Sequence, residues 1–194
     1  GYDLKIHMSD GGSIILDNQI RTGDAYAKYR IEEAVFADGE TLDLVNNLTF
    51  KGTDIDENMS GTEDNNRLYG YGGNDTLYAN GGADLLFGQG GSDNLYGGLG
   101  NDRYYYDLGD GSDYIHDTGG FDRLYLGASI TQDDIRFEKG GSDLLIHYGE
   151  ETITLDNQMR MGETYDAYRI EQLVFGDNTK LDLGNNLSFR GTDA

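Results

Sequence analysis

The sequence predicts an all-β protein, in which a flattened coil of very short parallel strands lies between two β-rich segments. Two observations carry this reading: a nine-residue phrase returns through the middle of the chain, and a thirty-nine-residue segment occurs twice, once on each side of it. Composition agrees, with 30 glycines and 15 tyrosines beside no proline, cysteine or tryptophan. Glycine supplies turns, tyrosine favours strands, and without cysteine there is no disulfide framework, thiolate metal site or cysteine nucleophile.

The flanks come first in chain order. Residues 16–54, "LDNQIRTGDAYAKYRIEEAVFADGETLDLVNNLTFKGTD", align without a gap on residues 155–193, "LDNQMRMGETYDAYRIEQLVFGDNTKLDLGNNLSFRGTD", with 24 of 39 positions identical. The chain therefore reads as about one period of a tandem array. In the second copy Ile170, Gln172 and Val174 alternate with Glu171, Leu173 and Phe175, and "GDNT" then turns into "KLDL". That pattern is a hairpin or short sheet, although "GDAYAKYRIEEAVF" in the first copy also holds helix-forming residues. The expected division is a β-rich cap over 1–51, a coil over 52–127 and a second β-rich cap over 128–194.

In the coil, units of nine begin at Gly52, Gly61, Gly70, Ala79, Gly88 and Gly97. The eighth residue of each is apolar or aromatic: Met59, Leu68, Leu77, Leu86, Leu95 and Tyr104. The sixth becomes Asn66, Asp75, Asp84, Asp93 and Asp102. After a two-residue insertion near Tyr106, two further units carry Asp113 with Ile115 and Asp122 with Leu124. Three residues such as Thr76, Leu77 and Tyr78 suffice for a short strand with its middle side chain inward. The other six must reverse the chain, which glycine permits. Alternate units then fall on opposite sheets, Leu77 and Leu95 on one and Leu86 on the other.

One leucine per nine residues buries little. At roughly 25 cal/mol per Å² of apolar surface it cannot offset the ordering entropy of so many glycines. The aspartates point to the missing stabilisation. Successive turns lie on opposite edges, so Asp75 stacks over Asp93 and Asp84 over Asp102, with backbone carbonyls between them. Carboxylates and carbonyls form the hard, all-oxygen environment that calcium prefers at roughly 2.3 to 2.6 Å, whereas magnesium demands a stricter octahedron. Zinc and copper would lack softer ligands, since only His7, His116 and His147 are present and none is paired at metal spacing.

"GYGGNDTLY", "GQGGSDNLY" and "GGLGNDRYY" resemble the nonapeptide G-G-x-G-x-D-x-U-x of the RTX (repeats-in-toxin) haemolysin-type calcium-binding proteins nearly position for position. "YYYDLGDGSDYIHDTGGFDRLYLG" is similar to the irregular closing turns of that family, and residues 130–183 to the region that follows them. The resemblance implies a right-handed parallel β-roll, export through a type I secretion channel, and folding coupled to calcium outside a bacterial cell. Asp75, Asp84, Asp93 and Asp102 match the ligand aspartate, with Asp113 and Asp122 in the closing turns. Carbonyl ligands would come from turn residues such as Gly72, Gly81, Gly90 and Gly100, with Gly73, Gly82, Gly91 and Gly98 in the same turns. Asp110 and Asp117 are either extra ligands or solvated acids. About four to six calcium ions are expected.

Departures from the pattern set further expectations. Asn66 replaces the ligand aspartate, and "GTDIDENMS" and "GTEDNNRLY" lack the paired glycines, so the first two turns should bind calcium weakly or not at all. Ala79 takes the place of a first glycine. Tyr69, Tyr78, Phe87, Tyr96 and Tyr105, at the ninth position, should point outward as two aromatic ladders, with His116 on the same register. Such ladders brace neighbouring strands or form a sugar-binding strip.

With 36 acidic and 14 basic residues, the formal charge is −22. Such a surface repels nucleic-acid phosphates and anionic lipid and favours cationic partners. No apolar run has the length of a membrane span, and "GYDLKIHM" has no signal-peptide pattern. No G-x-S-x-G, H-E-x-x-H or phosphate loop appears, so no enzyme is expected. A chain opening on Gly1 reads as a fragment of a larger secreted toxin or adhesin. Its expected partners are calcium, the type I secretion machinery, neighbouring RTX blocks, and a host-cell surface or glycan.

Overall fold

The computed structural model describes residues 48–160 and 169–183, together with the backbone of four short strands before them. Those four are β1 (Leu4–His7), β2 (Ser13–Leu16), β3 (Glu33–Val35) and β4 (Thr41–Asp43). The rest of the first flank, including residues 23–32 with their helix-forming character, lies outside the described residues. The coil contains β5 (Leu48–Lys51), β6 (Asn58–Ser60), β7 (Asn66–Gly72), β8 (Thr76–Tyr78), β9 (Leu85–Gly90), β10 (Asn94–Tyr96), β11 (Arg103–Tyr106), β12 (Tyr114–His116) and β13 (Asp122–Leu126). The second flank adds β14 (Ile135–Gly140), β15 (Asp143–Tyr148), β16 (Glu151–Leu155), β17 (Ile170–Val174) and β18 (Lys180–Asp182). Among the described residues the only helical turn is a 3-10 turn at Gln132–Asp134.

Strands β5 to β18 form two seven-stranded sheets, β18-β17-β13-β11-β9-β7-β5 and β14-β15-β16-β12-β10-β8-β6, while β1-β2 and β3-β4 are two-stranded. Within the coil every pairing is parallel and joins alternate units, as in Asn94–Tyr96 on Thr76–Tyr78 and Arg103–Tyr105 on Leu85–Phe87. The protein is thus all-β, and its centre is a parallel β-roll of about four turns. The first strand of the roll, β5, precedes Gly52 and pairs in parallel with β7.

The interior is the predicted file of eighth-position side chains. Leu68, Leu77, Leu86, Leu95, Tyr104, Ile115 and Leu124 are all buried, while Met59 in the first turn is only partly covered. The file continues into the second flank. Ile115 is in register with Leu155 of β16, and Leu124 with Leu173 of β17, both parallel and both buried. The flank therefore prolongs the two sheets of the roll before turning antiparallel through β14–β15–β16 and β17–β18.

The "GDNT" turn closes the hairpin expected of it: Gln172 opposes Asp182 and Val174 opposes Lys180. In the first flank Glu33 opposes Asp43 and Val35 opposes Thr41. Each residue of one hairpin is its counterpart in the other displaced by 139 positions (172 − 33 and 182 − 43). The sequence repeat is therefore a structural repeat at the level of strand register.

Candidate calcium sites

Two columns of acidic side chains run along the edges of the roll. On one edge the N–H of Glu57 donates to Oδ1 of Asp75, that of Asp75 to Asp93, and that of Asp93 to Asp113, at 2.8, 2.8 and 3.0 Å. On the other, Asn66 N–H donates to Asp84, Asp84 to Asp102 and Asp102 to Asp122, at 2.6, 2.8 and 2.7 Å. The stacking of Asp75 with Asp93 and of Asp84 with Asp102 follows from the parallel register. Two units of nine make one full turn, and the two-residue insertion lengthens the last steps to twenty residues.

Each aspartate spends one oxygen on this ladder. The second oxygen, Oδ2 of Asp75, Asp84, Asp93, Asp102 and Asp122, is buried and has no hydrogen-bond partner. All six column aspartates are buried, and in the ion pairs of the described residues none is joined to a lysine or arginine. Burial accordingly drives their carboxyls upward from 3.8, to about 6 for Asp93, about 7 for Asp102 and about 8 for Asp84 and Asp113; Asp75 and Asp122 rise as well. Neighbouring carboxylates add to the rise, Asp102 on Asp84 and Asp75 on Asp93, while the ladder N–H groups oppose it. A buried oxygen acceptor with no donor and no counter-charge is costly unless a proton or a cation completes it.

The glycines shape the turns around these oxygens. A Cβ at Gly91 would lie 1.8 Å from the carbonyl oxygen of Gly73, and one at Gly100 would lie 1.6 Å from that of Gly82. The carbonyls of Gly73, Gly82, Gly91 and Gly100 thus point along the stack at the turn above, where only glycine fits. Gly72 and Gly90 are paired with each other in β7–β9, Gly81 bridges Leu99, and the Gly98 carbonyl accepts the Thr118 N–H at 3.2 Å. Gly70 has a different task, because a Cβ there would sit 2.3 Å from Asp75 Oδ2. At the equivalent position Ala79 carries its methyl fully buried.

The first two turns are built differently. Asn66 Oδ1 accepts the Thr62 N–H at 2.6 Å and its amide donates to Thr62 Oγ1 at 3.2 Å. Glu57, the sixth residue of the first unit, accepts Thr53 N–H and Oγ1 at 2.6 and 2.9 Å. In these turns the sixth side chain is satisfied by protein groups. Glu57 was missed by sequence reasoning, although the register alone points to it.

Asp110 and Asp117 stand apart from the columns. Asp110 caps its own loop, with Oδ2 accepting the Asp107 N–H at 2.7 Å. Asp117 is buried, accepts the Tyr104 hydroxyl at 2.6 Å, and offers a carboxylate oxygen within 4.8 Å of ones from Asp102 and Asp122. Beyond Asp122 the column gains a member that sequence reasoning also missed, since Asp122 N–H donates to Oε2 of Glu171 at 2.6 Å. Nothing in the nonapeptide phrase marks Glu171, which lies in the flank.

The donor set is entirely oxygen: carboxylates with unpartnered buried atoms beside carbonyls on close-packed turns. It fits calcium, and it offers no soft ligand to zinc or copper. Among curated proteins none matches the chain. The family model of the RTX calcium-binding nonapeptide repeat, in four copies, matches residues 51–86, 78–110 and 107–129, the same stretch that forms the roll. Residues 51–129 therefore match the RTX calcium-binding nonapeptide repeats, a structural calcium-binding fold, and the match supports an RTX-type calcium-binding protein.

Proposed function

We propose that this chain is a calcium-driven folding module of a larger secreted bacterial protein, unfolded where calcium is scarce and ordered as a roll where it is plentiful. The observation that carries the reading is the pair of columns of buried aspartates, five of whose Oδ2 atoms have no partner. When bound, calcium supplies the positive charge and the oxygen coordination that these turns lack. Asp75 with Asp93, Asp93 with Asp113, Asp84 with Asp102 and Asp102 with Asp122 would hold it, together with stacked turn carbonyls. About four to six ions are expected, and the two N-terminal turns, already satisfied by Thr53 and Thr62, add little.

Ions that bind only the folded chain stabilise it by mass action. Each also removes part of the self-repulsion of a chain carrying −22. A calcium-poor bacterial interior would keep the chain threadable through a type I secretion channel, and calcium outside would fold it and prevent return. The duplicated flank supports a division into a first cap, a roll and a second cap, repeated along an array. No helix among the described residues is long and apolar enough to cross a membrane. The test is a calcium titration followed by far-ultraviolet circular dichroism, with magnesium as control and a chelator for reversal. A steep, calcium-selective and reversible gain of β signal is expected; equal order in chelator and calcium overturns the reading.

A second reading rests on the aromatic ladders. Tyr78 and Tyr96 stack at 4.7 Å on one face of the roll, beside His116. In an array stiffened by calcium such a strip would bind sugar rings, and the module would be a spacer or glycan-binding segment of an adhesin. A glycan array with calcium present distinguishes the two: binding abolished by Tyr78→Ala and Tyr96→Ala supports adhesion.

A further inference from the structure

We infer that Asp117 and Glu171 complete the last calcium site of the column, at Asp102 and Asp122, so that its ion clasps the second flank onto the end of the roll. The inference rests on the calcium reading above and extends it to residues outside the nonapeptide columns.

Three features set this place apart. First, the residue at the head of the unit is glycine or alanine in the units from 52 to 97, but Leu108 and then the acidic Asp117 in the last two units. Second, Asp102 Oδ2, Asp117 Oδ2 and the Tyr104 hydroxyl converge on Gly97, where a Cβ would lie 2.5, 2.4 and 2.1 Å from them. A side chain at 97 would fill this cradle. Within it the buried Oδ2 atoms of Asp102 and Asp122 have no partner, and both residues are 0% exposed. Third, the β13–β17 pairing slips between Asp122 and Arg123, so that Ile170 and Gln172 are in register and Glu171 is the extra residue. Such a bulge re-aims a side chain. Here it brings Glu171 Oε2 to the Asp122 N–H at 2.6 Å, the place that the next column aspartate takes elsewhere.

Carboxylate oxygens of Asp102, Asp117 and Asp122 thus lie within 4.8 Å of one another at one end of the roll, and Glu171 of the flank reaches the Asp122 N–H beside them. Arg169, close to Glu171, offsets part of that charge. A hard divalent cation with carboxylate ligands from both segments would make docking of β17 and β18 depend on calcium.

The full chain and its Asp117→Asn, Glu171→Gln and Tyr104→Phe variants are compared for calcium stoichiometry by calorimetry and for hydrogen exchange at saturating calcium. Asp117→Asn and Glu171→Gln are each expected to bind about one ion fewer. In both, exchange in residues 170–183 should rise about tenfold or more, while residues 66–96 stay protected. Tyr104→Phe removes only the hydroxyl partner of Asp117 and should keep the full ion count. An unchanged count in Glu171→Gln overturns the clasp, even if Asp117→Asn fails to fold. A lowered count in Tyr104→Phe overturns it too, by reducing Asp117 to a packing role. If the unaltered chain binds no calcium, the parent reading falls with it; if it binds calcium and the two carboxylate variants match it, only the clasp falls.

Discussion

The N–H of Asp75 donates to Oδ1 of Asp93, eighteen residues further on and 2.8 Å away, while Oδ2 of Asp93 is buried without a partner. One carboxylate therefore does two jobs that chemistry can separate. Oδ1 fixes the vertical register of neighbouring turns, and Oδ2 is the atom left for a proton or an ion.

Asp93→Asn keeps the first job, since an amide oxygen still accepts the Asp75 N–H, and removes the second. The calcium midpoint should rise by an order of magnitude or so, with the calcium-saturated roll largely retained. Asn66→Ala removes an amide already satisfied by Thr62 and should hardly move that midpoint. Titrations of both variants by circular dichroism decide the matter, and equal shifts would refute the assignment of ligand and non-ligand turns.

The pH response should change sign with calcium. Burial holds the carboxyl of Asp93 at about 6, Asp102 at about 7 and Asp84 and Asp113 at about 8 in the folded chain, against 3.8 when unfolded. The folded state binds more protons between these values, so its stability without metal is fully present below pH 3.8 and is lost as pH rises through about 6 to 8. In chelator the folded fraction at about pH 5 should therefore exceed that at about pH 8, read by circular dichroism. In excess calcium protons compete with the ion, and the order should invert. A chelated protein that gains stability between these two conditions would contradict the burial of these groups.

Gly91 and Gly109 separate close approach from backbone freedom. Both have positive φ, 146° and 93°, but a Cβ at Gly91 meets Gly73 O at 1.8 Å and one at Gly109 meets nothing within 4 Å. Gly109→Ala should cost about 1 to 2 kcal/mol, the left-handed penalty alone. Gly91→Ala forces the stacked turns apart and should cost more than about 3 kcal/mol. Urea unfolding in saturating calcium measures both; similar costs would mean that the turns above and below Gly91 can separate freely.

Much of this was legible in the sequence because a roll is nearly one-dimensional. A strict period of nine fixes which side chains face inward, so Leu77, Leu86 and Leu95 could be placed on their sheets before any coordinates, and the register brings Asp75 to Asp93. What the period could not supply lies where it stops. Glu171 reaches Asp122 through a bulge in a flank strand, and alternation along "RIEQLVF" says nothing of a slipped register. That Asp117 bonds Tyr104 depends on a tyrosine filling a slot that leucine fills elsewhere, which reveals a buried hydroxyl only once its neighbours are known. Glu57 shows a limit of another kind, for the register marks it but a Thr53 partner satisfies it.

The ladder on the other face supplies a test independent of any ion. Phe87 lies between Tyr69 and Tyr105 with ring centroids at 4.5 and 4.4 Å and planes tilted by 9° in each case, and Tyr105 continues onto Tyr125 at 5.0 Å. Rings in parallel strands stack this closely because the strand spacing sets their separation. Each such pair is worth about 0.5 to 1.5 kcal/mol beyond area burial, so Phe87→Ala, which breaks two pairs, should cost roughly 1 to 3 kcal/mol from stacking alone. Tyr71→Ala, at the end of the ladder with a single 6.2 Å contact and 37% exposure, should cost markedly less. Because the ring partners of Phe87 are Tyr69 and Tyr105, the loss should appear as a lower unfolding midpoint in saturating calcium with an unchanged ion count by calorimetry. A change in ion count on Phe87→Ala would show instead that the ladder governs the spacing of the turns, and that strand stacking and ion binding are one cooperative unit.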